Sequence, residues 1–596
     1  MHNYRSKYKM TKGLNKLFFS PFLCSLILCG HPINIDGLFD DWQNVPLAYS
    51  DQYGDGISAD YSTLKVTYDS EFLFIYFKFH EGEVLMQDWN DFHLYVDADS
   101  DSSTGHYVHG IGAELEWIFG DRSGYQYVGQ EQNELYQNDL VLRIGPTITS
   151  QQFEIAIARE SSPLTINGSQ SLLEGKIVLS EFAEGGDLLP DEPGGVLFTI
   201  GEDEVPQPEP MTLGRLDDSD IRILSYNTLN EGIIDDERQL HFKRIIQAID
   251  PDVIALQEHG EWNEIDDVIQ SWFPNDQWHA SWTYRDLVVL SRFPIVNDAN
   301  MISSERTMAA LLDTDAELGK DLLIFNSHLS CCANNEDRQQ QVDEFASTWR
   351  DWVQSDSGPF EIEPGTPFVH VGDFNYVGYR QQVETIRTGD IENEEQYGND
   401  FLPDWDSTAI IDLFSRHTYK RMGYTWRSDG SSYNPGKLDY VFYSDATIDT
   451  GKHYILNTIA MDDLYLDYYG LEWDDTQEAS DHLPVVFDIS VNDGVGIGED
   501  KVLPGQVILH PNHPNPFNSR TTIPIYLRSP GMVELSIIDV KGRFVNRLIY
   551  GNRPRGNSPI DWDGTNDKGQ NVTSGVYFYL LRVNDISHIR KMILLK

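Results

Sequence analysis

Six short segments between Ile221 and Ile489 each place reactive side chains at the end of an apolar run. They are Ser-Tyr-Asn at 225–227, Leu-Gln-Glu at 256–258, Asn-Ser-His at 326–328, Gly-Asp-Phe-Asn at 372–375, Leu-Asp-Tyr at 438–440 and Ser-Asp-His at 480–482. The fold must gather Asn227, Glu258, His328, Asp373, Asn375, Asp439, Asp481 and His482 from distant parts of one chain. Few chemistries need so many carboxylates, amides and imidazoles together, and metal-assisted attack of water on a phosphate ester is one. Singly, Asn227 reads as a turn cap and His328 as a satisfied core histidine. Asp373 and Asp439 resist that reading, because an unpaired carboxylate in a buried strand is costly.

Around these segments strands alternate with helices. Ile221–Ser225 and Val253–Leu256 read as strands, and Phe242, Ile245, Ile246 and Ile249 mark a helix face that must stop before Pro251. Val342, Phe345, Trp349 and Val353 mark a second helix before the buried run Phe368–Val371. The alternation indicates stacked α and β layers over residues 219–490. With 596 residues the chain is too long for one core and holds about three or four domains.

Residues 31–201 read as all-β. Leu64, Val66 and Tyr68 alternate with polar residues, Asp69-Ser70-Glu71 turns the chain, and Leu73, Ile75, Phe77 and Phe79 resume, which predicts a hairpin with one buried face. Asp97, Asp99 and Asp101 before Gly105 either present oxygens to Ca²⁺ or form a solvated acidic turn lacking a bidentate Glu. Residues 202–218, with Pro206, Pro208 and Pro210, predict a semi-extended linker. Residues 491–505 form a glycine-bearing spacer, and 506–596 a small β domain.

Asp and Glu number 95 against 43 Lys and Arg, a formal charge of −52 that disfavours broad binding to polyanions. A phosphate-bearing substrate must therefore be drawn in locally. Arg416, Lys420, Arg421, Arg427 and Lys437 face a single acid, Asp429, in that stretch. This cluster either binds substrate phosphates, with Arg421 and Arg427 foremost, or balances neighbouring acids. Residues 1–30 carry Arg5, Lys7, Lys9, Lys12 and Lys16 before the apolar Leu17–Cys29, the order of a secretory signal, and predict a secreted or cell-surface protein. No run is long and apolar enough to span a bilayer. Of four cysteines, Cys331 and Cys332 lie beyond that segment, so no disulfide framework is expected. The pair reads as a surface-loop thiol pair, a vicinal disulfide or a soft-metal ligand.

Three resemblances follow from these motifs. Residues 219–490 resemble the endonuclease/exonuclease/phosphatase family, which implies a four-layer α/β sandwich of two packed mixed sheets flanked by helices. The same resemblance implies Mg²⁺ (or Mn²⁺) held by Asn227, Glu258 and Asp481, phosphate held by Asn375 and His328, and Asp373 or His482 as proton acceptor with Asp439 orienting His482. Ile35-Asp36-Gly37-Leu38-Phe39-Asp40-Asp41-Trp42 and Tyr68–Leu73 resemble family 9 carbohydrate-binding modules, which implies a glycan ligand. His513–Asn518, Ser574-Gly575-Val576-Tyr577 and the closing Arg590–Lys596 resemble the type IX secretion sorting domain, an immunoglobulin-like fold that implies passage through an outer-membrane secretion machinery. The expectation is a multidomain, secreted phosphodiesterase acting on DNA or RNA. The alternatives are a sphingomyelinase-like or phosphatase activity, or a glycan-binding surface protein with a silent middle domain.

Overall fold

The structure, a computed structural model, describes residues 26–491 and most of 507–595. Residues 57–58, 89, 130, 167–169, 183–185, 202, 261–264, 284 and 356 fall outside it, as do 510–511, 513–516, 519, 528–530, 540–542, 554–555 and 584–585. Most of the expected signal segment, the 491–505 spacer and His513–Pro516 lie outside the described residues.

The N-terminal region is built from two antiparallel sheets enclosing one core. In one, Glu174–Glu181, Phe92–Asp97, Leu115–Ile118 and Ser123–Val128 are successive neighbours; in the other, Gln152–Ala158, Phe72–Phe79, Tyr61–Tyr68 and Leu47–Ser50 are. Leu26–Leu28 adds a parallel edge strand against Phe198–Ile200, so the described sheet includes residues N-terminal to the expected boundary at 31. The expected hairpin forms, with Tyr68 opposite Leu73. It differs in one respect: Phe72–Phe79 is buried on both faces. The segment Asp36–Trp42 covers the outer face, packing Phe39 edge-on and Trp42 tilted against Tyr76 at 5.6 and 5.4 Å. Fully buried Glu154 ties that segment down, accepting from the Asp36 and Gly37 amides at 2.8 and 2.7 Å and from Trp42 Nε1 at 2.9 Å.

The α/β region contains a sheet in which His279–Trp282, Val288–Ser291, Val253–Gln257 and Ile221–Asn227 are successive neighbours. A second sheet runs Ile295–Asn300, Thr307–Leu312, Leu322–His328, Phe368–Asp373, Asp439–Tyr443 and Ile411–Asp412. Helices Gln239–Ile249 and Ile265–Trp272 share a core with the first sheet, and the Asn335–Ser355 helix shares one with the second. Between the sheets, buried Asn326 accepts from Gln257 Nε2 at 2.7 Å and donates to the Leu256 and Val288 carbonyls. Parallel pairing of Leu322–His328 with Phe368–Asp373 puts His328 opposite Asp373, and antiparallel pairing puts Asp373 opposite Asp439. The strand register alone thus aligns three of the predicted residues.

The N-terminal sandwich and the α/β region group into one compact unit by their contacts. Thr147 Oγ1 donates to the Tyr376 carbonyl at 2.9 Å, the Thr149 amide to the Gly378 carbonyl at 2.7 Å, and Ile35 exchanges backbone hydrogen bonds with Arg421 and Gly423. The described part of the 202–218 segment lies along residues 416–421: Met211 N donates to the Thr418 carbonyl, while Arg416 and Arg421 hold the Glu209 and Pro206 carbonyls.

A second unit contains the C-terminal strands. Val507–Leu509, Thr521–Leu527 and Gly556–Trp562 form one sheet. Phe544–Arg553, Gly531–Asp539, Gly575–Val583 and Ile586–Leu594 form another, around a core with Trp562 and Tyr579. Among the described residues no helix is long and apolar enough to cross a membrane.

Candidate active site

Four strand ends and two loops meet at one cleft. Asn227, His328 and Asp373 close their strands, Asp439 opens its strand, and Glu258 follows Val253–Gln257 by one residue. Glu258 sits at φ 57° and Asn375 at φ 53°. The left-handed region costs a non-glycine residue about 1–2 kcal/mol, and such strain clusters at functional sites. Glu258 is held there by the Glu231 amide on its carbonyl at 2.8 Å and the Asn230 amide on Oε2 at 3.1 Å. Gly372, at φ 136°, lets the two strands approach: a Cβ there would lie 2.0 Å from the Ser327 carbonyl oxygen.

Asp373 is the hub. Its Oδ2 accepts from Asn227 Nδ2 and Asn375 Nδ2, both at 3.0 Å, and Oδ1 accepts from the Asn375 amide at 3.0 Å. His328 Nε2 and His482 Nε2 lie 3.7 and 3.6 Å from that same Oδ2. Each imidazole is backed by a carboxylate: His328 Nδ1 meets Asp286 Oδ2 at 2.7 Å, and His482 Nδ1 meets Asp439 Oδ2 at 2.8 Å. Burial disfavours the charged ring, but Asp439 and Asp373 outweigh it and raise His482 to about 10. His328 is raised likewise, its burial overcome by Asp286, Asp373 and Glu258. By contrast His370 and His417, buried without such acids, are pushed down to about 3. Burial raises Asp373, against the pull of the two imidazoles.

All eight residues of the six segments belong to one neighbourhood, with two changes to the expected tasks. Asn227 presents nitrogen, not oxygen, to the acids: Nδ2 donates to Glu258 at 3.1 Å as well as to Asp373, while Oδ1 accepts from the Leu229 amide at 3.0 Å. Turning the amide over would set two donors face to face. Asn375 uses its two amide hydrogens on the Leu329 carbonyl at 3.2 Å and on Asp373, so it positions Asp373 instead of reaching phosphate. Asp481 accepts from Trp426 Nε1 at 3.0 Å through Oδ2, and its buried Oδ1 has no hydrogen-bond partner.

Within the fold each cation of the basic cluster already has a partner. Arg421 lies outside the cleft lining with its guanidinium on the Pro206 carbonyl, Lys420 pairs with Glu71, and Lys437 with Asp412. Arg427 binds Asp429 through two contacts. These cations fasten the linker and the sandwich or neutralise local acids. Sequence reasoning missed Asp286, which orients His328, and Arg306, which donates to the His328 carbonyl at 2.9 Å. Asp286 lies in a short connection with no periodicity, so only its spacing before the Leu287–Leu290 apolar run was visible.

The cleft, about 600 Å³, takes Leu85, Gln87 and Asp88 of the N-terminal sandwich into its wall beside Glu258, His482 and Tyr433. Gln87 Oε1 accepts from the Asn434 amide at 3.1 Å; Arg122 binds Asp88 at 2.8 Å and lies 4.1 Å over the Tyr433 ring. Cys331 and Cys332 are free, exposed thiols on the same rim. Neither joins a metal-binding group among the described residues.

In the sandwich, Asp97, Asp99 and Glu114 bring one oxygen each within 4.8 Å of one another. Glu114, not the expected Asp101, completes that group, and Asp101 instead accepts from Ser103.

Several solved structures are similar to part of this chain. The human Nocturnin catalytic domain with bound sulfate is 17% identical, over 47% of this chain and 97% of that one, at a TM-score of 0.30. ANGEL2, a 2',3'-cyclic phosphatase, is 16% identical over 48% and 99%, at 0.31. D. rerio TDP2 complexed with a single-strand DNA product is 15% identical over 46% and 100%, at 0.29. No curated protein matches the chain. Residues 518–584 match the FlgD Ig-like domain. Residues 224–482, which span all six segments, match the Endonuclease/Exonuclease/phosphatase family.

Proposed function

We propose that the protein is an exported phosphoric ester hydrolase that uses Mg²⁺ or Mn²⁺ and cleaves phosphodiesters from a four-layer α/β domain. The observation that carries this reading is Asp373 Oδ2, flanked at 3.6 and 3.7 Å by two imidazoles that are each backed by a carboxylate. Asp439 and Asp286 receive the Nδ1 protons and so leave both Nε2 atoms facing the reaction centre. Protonated, the two rings stabilise negative charge growing on phosphate oxygens. Asp373, fixed by Asn227 and Asn375, then takes the proton of the attacking water.

The donor set fits a hard divalent ion. Glu258 is partly exposed to the cleft, and Asp481 keeps an unpartnered buried oxygen on the same cleft. Bound there, the ion supplies Lewis-acid polarisation of the ester and neutralises charge on the leaving group.

For the substrate, the cleft supports a nucleotide-sized or head-group-sized diester, or a strand end, over the flank of a duplex. Its volume is that of a small-molecule site. The described lining holds no Lys or Arg to follow a phosphate backbone. Export rests on the basic-then-apolar N-terminus, sorting by an outer-membrane machinery on the C-terminal motifs, and a glycan ligand on the 35–42 motif.

The full protein should hydrolyse bis(p-nitrophenyl) phosphate with Mg²⁺ or Mn²⁺ and stop with EDTA, and Glu258→Ala and His482→Ala should each abolish turnover. A panel of single-stranded DNA, duplex DNA, RNA, sphingomyelin and inositol phosphates ranks the substrates. A wild type inert on all of them with both metals would leave a glycan-binding protein with a silent middle domain.

A further inference from the structure

At one end of the N-terminal sandwich two loops bring four aspartates together. Asp51 follows the edge strand Leu47–Ser50, Asp55 lies in the loop leading to Tyr61, and Asp187 and Asp191 flank Leu188–Leu189. One carboxylate oxygen from each lies within 4.8 Å of the others. The strongest charged influences on Asp51, Asp55 and Asp187 are all other acids.

Asp51 decides what the cluster is for. It is 7% exposed, and neither of its oxygens accepts from an N–H or hydroxyl; the side chain that meets it is another acid, Asp191. Asp187 is fixed beside it, accepting from the Tyr61 amide at 2.6 Å and from its neighbour Leu188 at 2.7 Å. Burial together with the neighbouring acids raises Asp51 to about 8 and Asp187 to about 6. A buried carboxylate of this kind is relieved by a proton or by a cation. One proton satisfies one oxygen. Two orphan oxygens on a single buried residue, facing three more carboxylates, call for a multivalent cation.

We propose that Asp51, Asp55, Asp187 and Asp191 form a structural Ca²⁺ site that clamps the loop after Leu47–Ser50 to the Asp187–Asp191 turn. Ca²⁺ takes six to eight oxygens in irregular geometry, which suits ligands contributed by a loop and a turn. Mg²⁺ demands a near-ideal octahedron and retains its waters. The site shares no residue with Asp97, Asp99 and Glu114, where Lys176 already pairs with Asp97 at 3.2 Å, nor with the catalytic cleft.

The test uses the full chain stripped with EDTA, with calorimetric titration of CaCl₂ and thermal unfolding; no catalytic readout is involved. Wild type should bind Ca²⁺ at this site, and its sandwich transition should rise by about 5 °C in millimolar Ca²⁺. Asp51→Asn should lose that binding event and the rise, while Asp99→Asn keeps both. Without Ca²⁺, Asp51→Asn should melt no lower than stripped wild type, because it removes repulsion; this separates lost binding from misfolding. Equal stoichiometry and equal thermal shift in wild type and Asp51→Asn would overturn the site, as would a wild type indifferent to millimolar Ca²⁺.

Discussion

The role given to Asp286 can be tested by removing its charge and then its whole side chain. Its contact with His328 is short, and the two side chains are only 21% and 11% exposed, so water screens the pair weakly. A hydrogen bond to a charged group contributes about 1.5–3 kcal/mol, and charge roughly doubles its strength. Asp286→Asn keeps the size and an acceptor oxygen but loses the charge, about 1.5 kcal/mol, which predicts a roughly tenfold fall in kcat/KM. Asp286→Ala removes the acceptor as well and should cost about a hundredfold. The readout is steady-state hydrolysis of bis(p-nitrophenyl) phosphate at saturating Mn²⁺ across pH. In the proposed mechanism protonated His328 is the active form, and Asp286 helps hold its pKa up. Activity lost as pH rises through that pKa should therefore be lost at lower pH in both variants. A merely structural role would leave that limb in place. If both variants stay within about threefold of wild type with an unmoved limb, Asp286 does not act through His328.

Asp439→Asn should lower kcat by about 10³-fold or more with KM nearly constant, because His482 loses the carboxylate that keeps its ring charged and oriented; single-turnover rates decide it. Arg421→Glu should leave KM for the diester within about twofold, since its guanidinium holds the Pro206 carbonyl away from the cleft. Tyr433→Ala combined with Gln87→Ala should raise KM several-fold, because the pair fixes the wall shared with the sandwich; an unchanged KM would remove that wall from substrate binding. Burial raises Asp36 to about 7 from 3.8, so the folded state holds its proton more tightly than the unfolded one. Its stabilisation is full below about pH 4 and lost as pH rises towards 7. Asp36→Asn should flatten melting temperature against pH across that window.

Much of the site was legible because strand ends advertise it. A buried strand end carrying Asp or His, as at Asp373, Asp439 and His328, has no inexpensive structural explanation, and three such ends narrow the chemistry sharply. What stayed hidden depended on tertiary neighbours. Asp286 sits in a connection that carries no pattern, and the Leu85–Asp88 wall belongs to a domain whose own sequence speaks only of strands. The family resemblance points Asn375 at phosphate, but its amide is occupied, since a left-handed residue two positions on from Asp373 reaches back to it. The one-faced hairpin failed for a similar reason. Alternation in Leu73–Phe79 shows which residues face the core, but not that Phe39 and Trp42 cover the other side.

The basic cluster carries the broader lesson about charge. In a chain of net charge −52, five cations in a short stretch look like a substrate track, yet each serves a nearby carboxylate or carbonyl. Charge separated by more than about 8–10 Å is screened at ordinary ionic strength, so net charge says little about an enclosed cleft. What an anionic ester meets there is set by groups within a few ångströms: two imidazoles whose charged form neighbouring carboxylates favour, and oxygen donors suited to a divalent ion. An acidic enzyme can thus hold a phosphate without a basic surface, while long polyanions, which sense the surface over many phosphates, are disfavoured. The selectivity expected of this cleft, small diesters and strand ends over duplex flanks, follows from that difference in range.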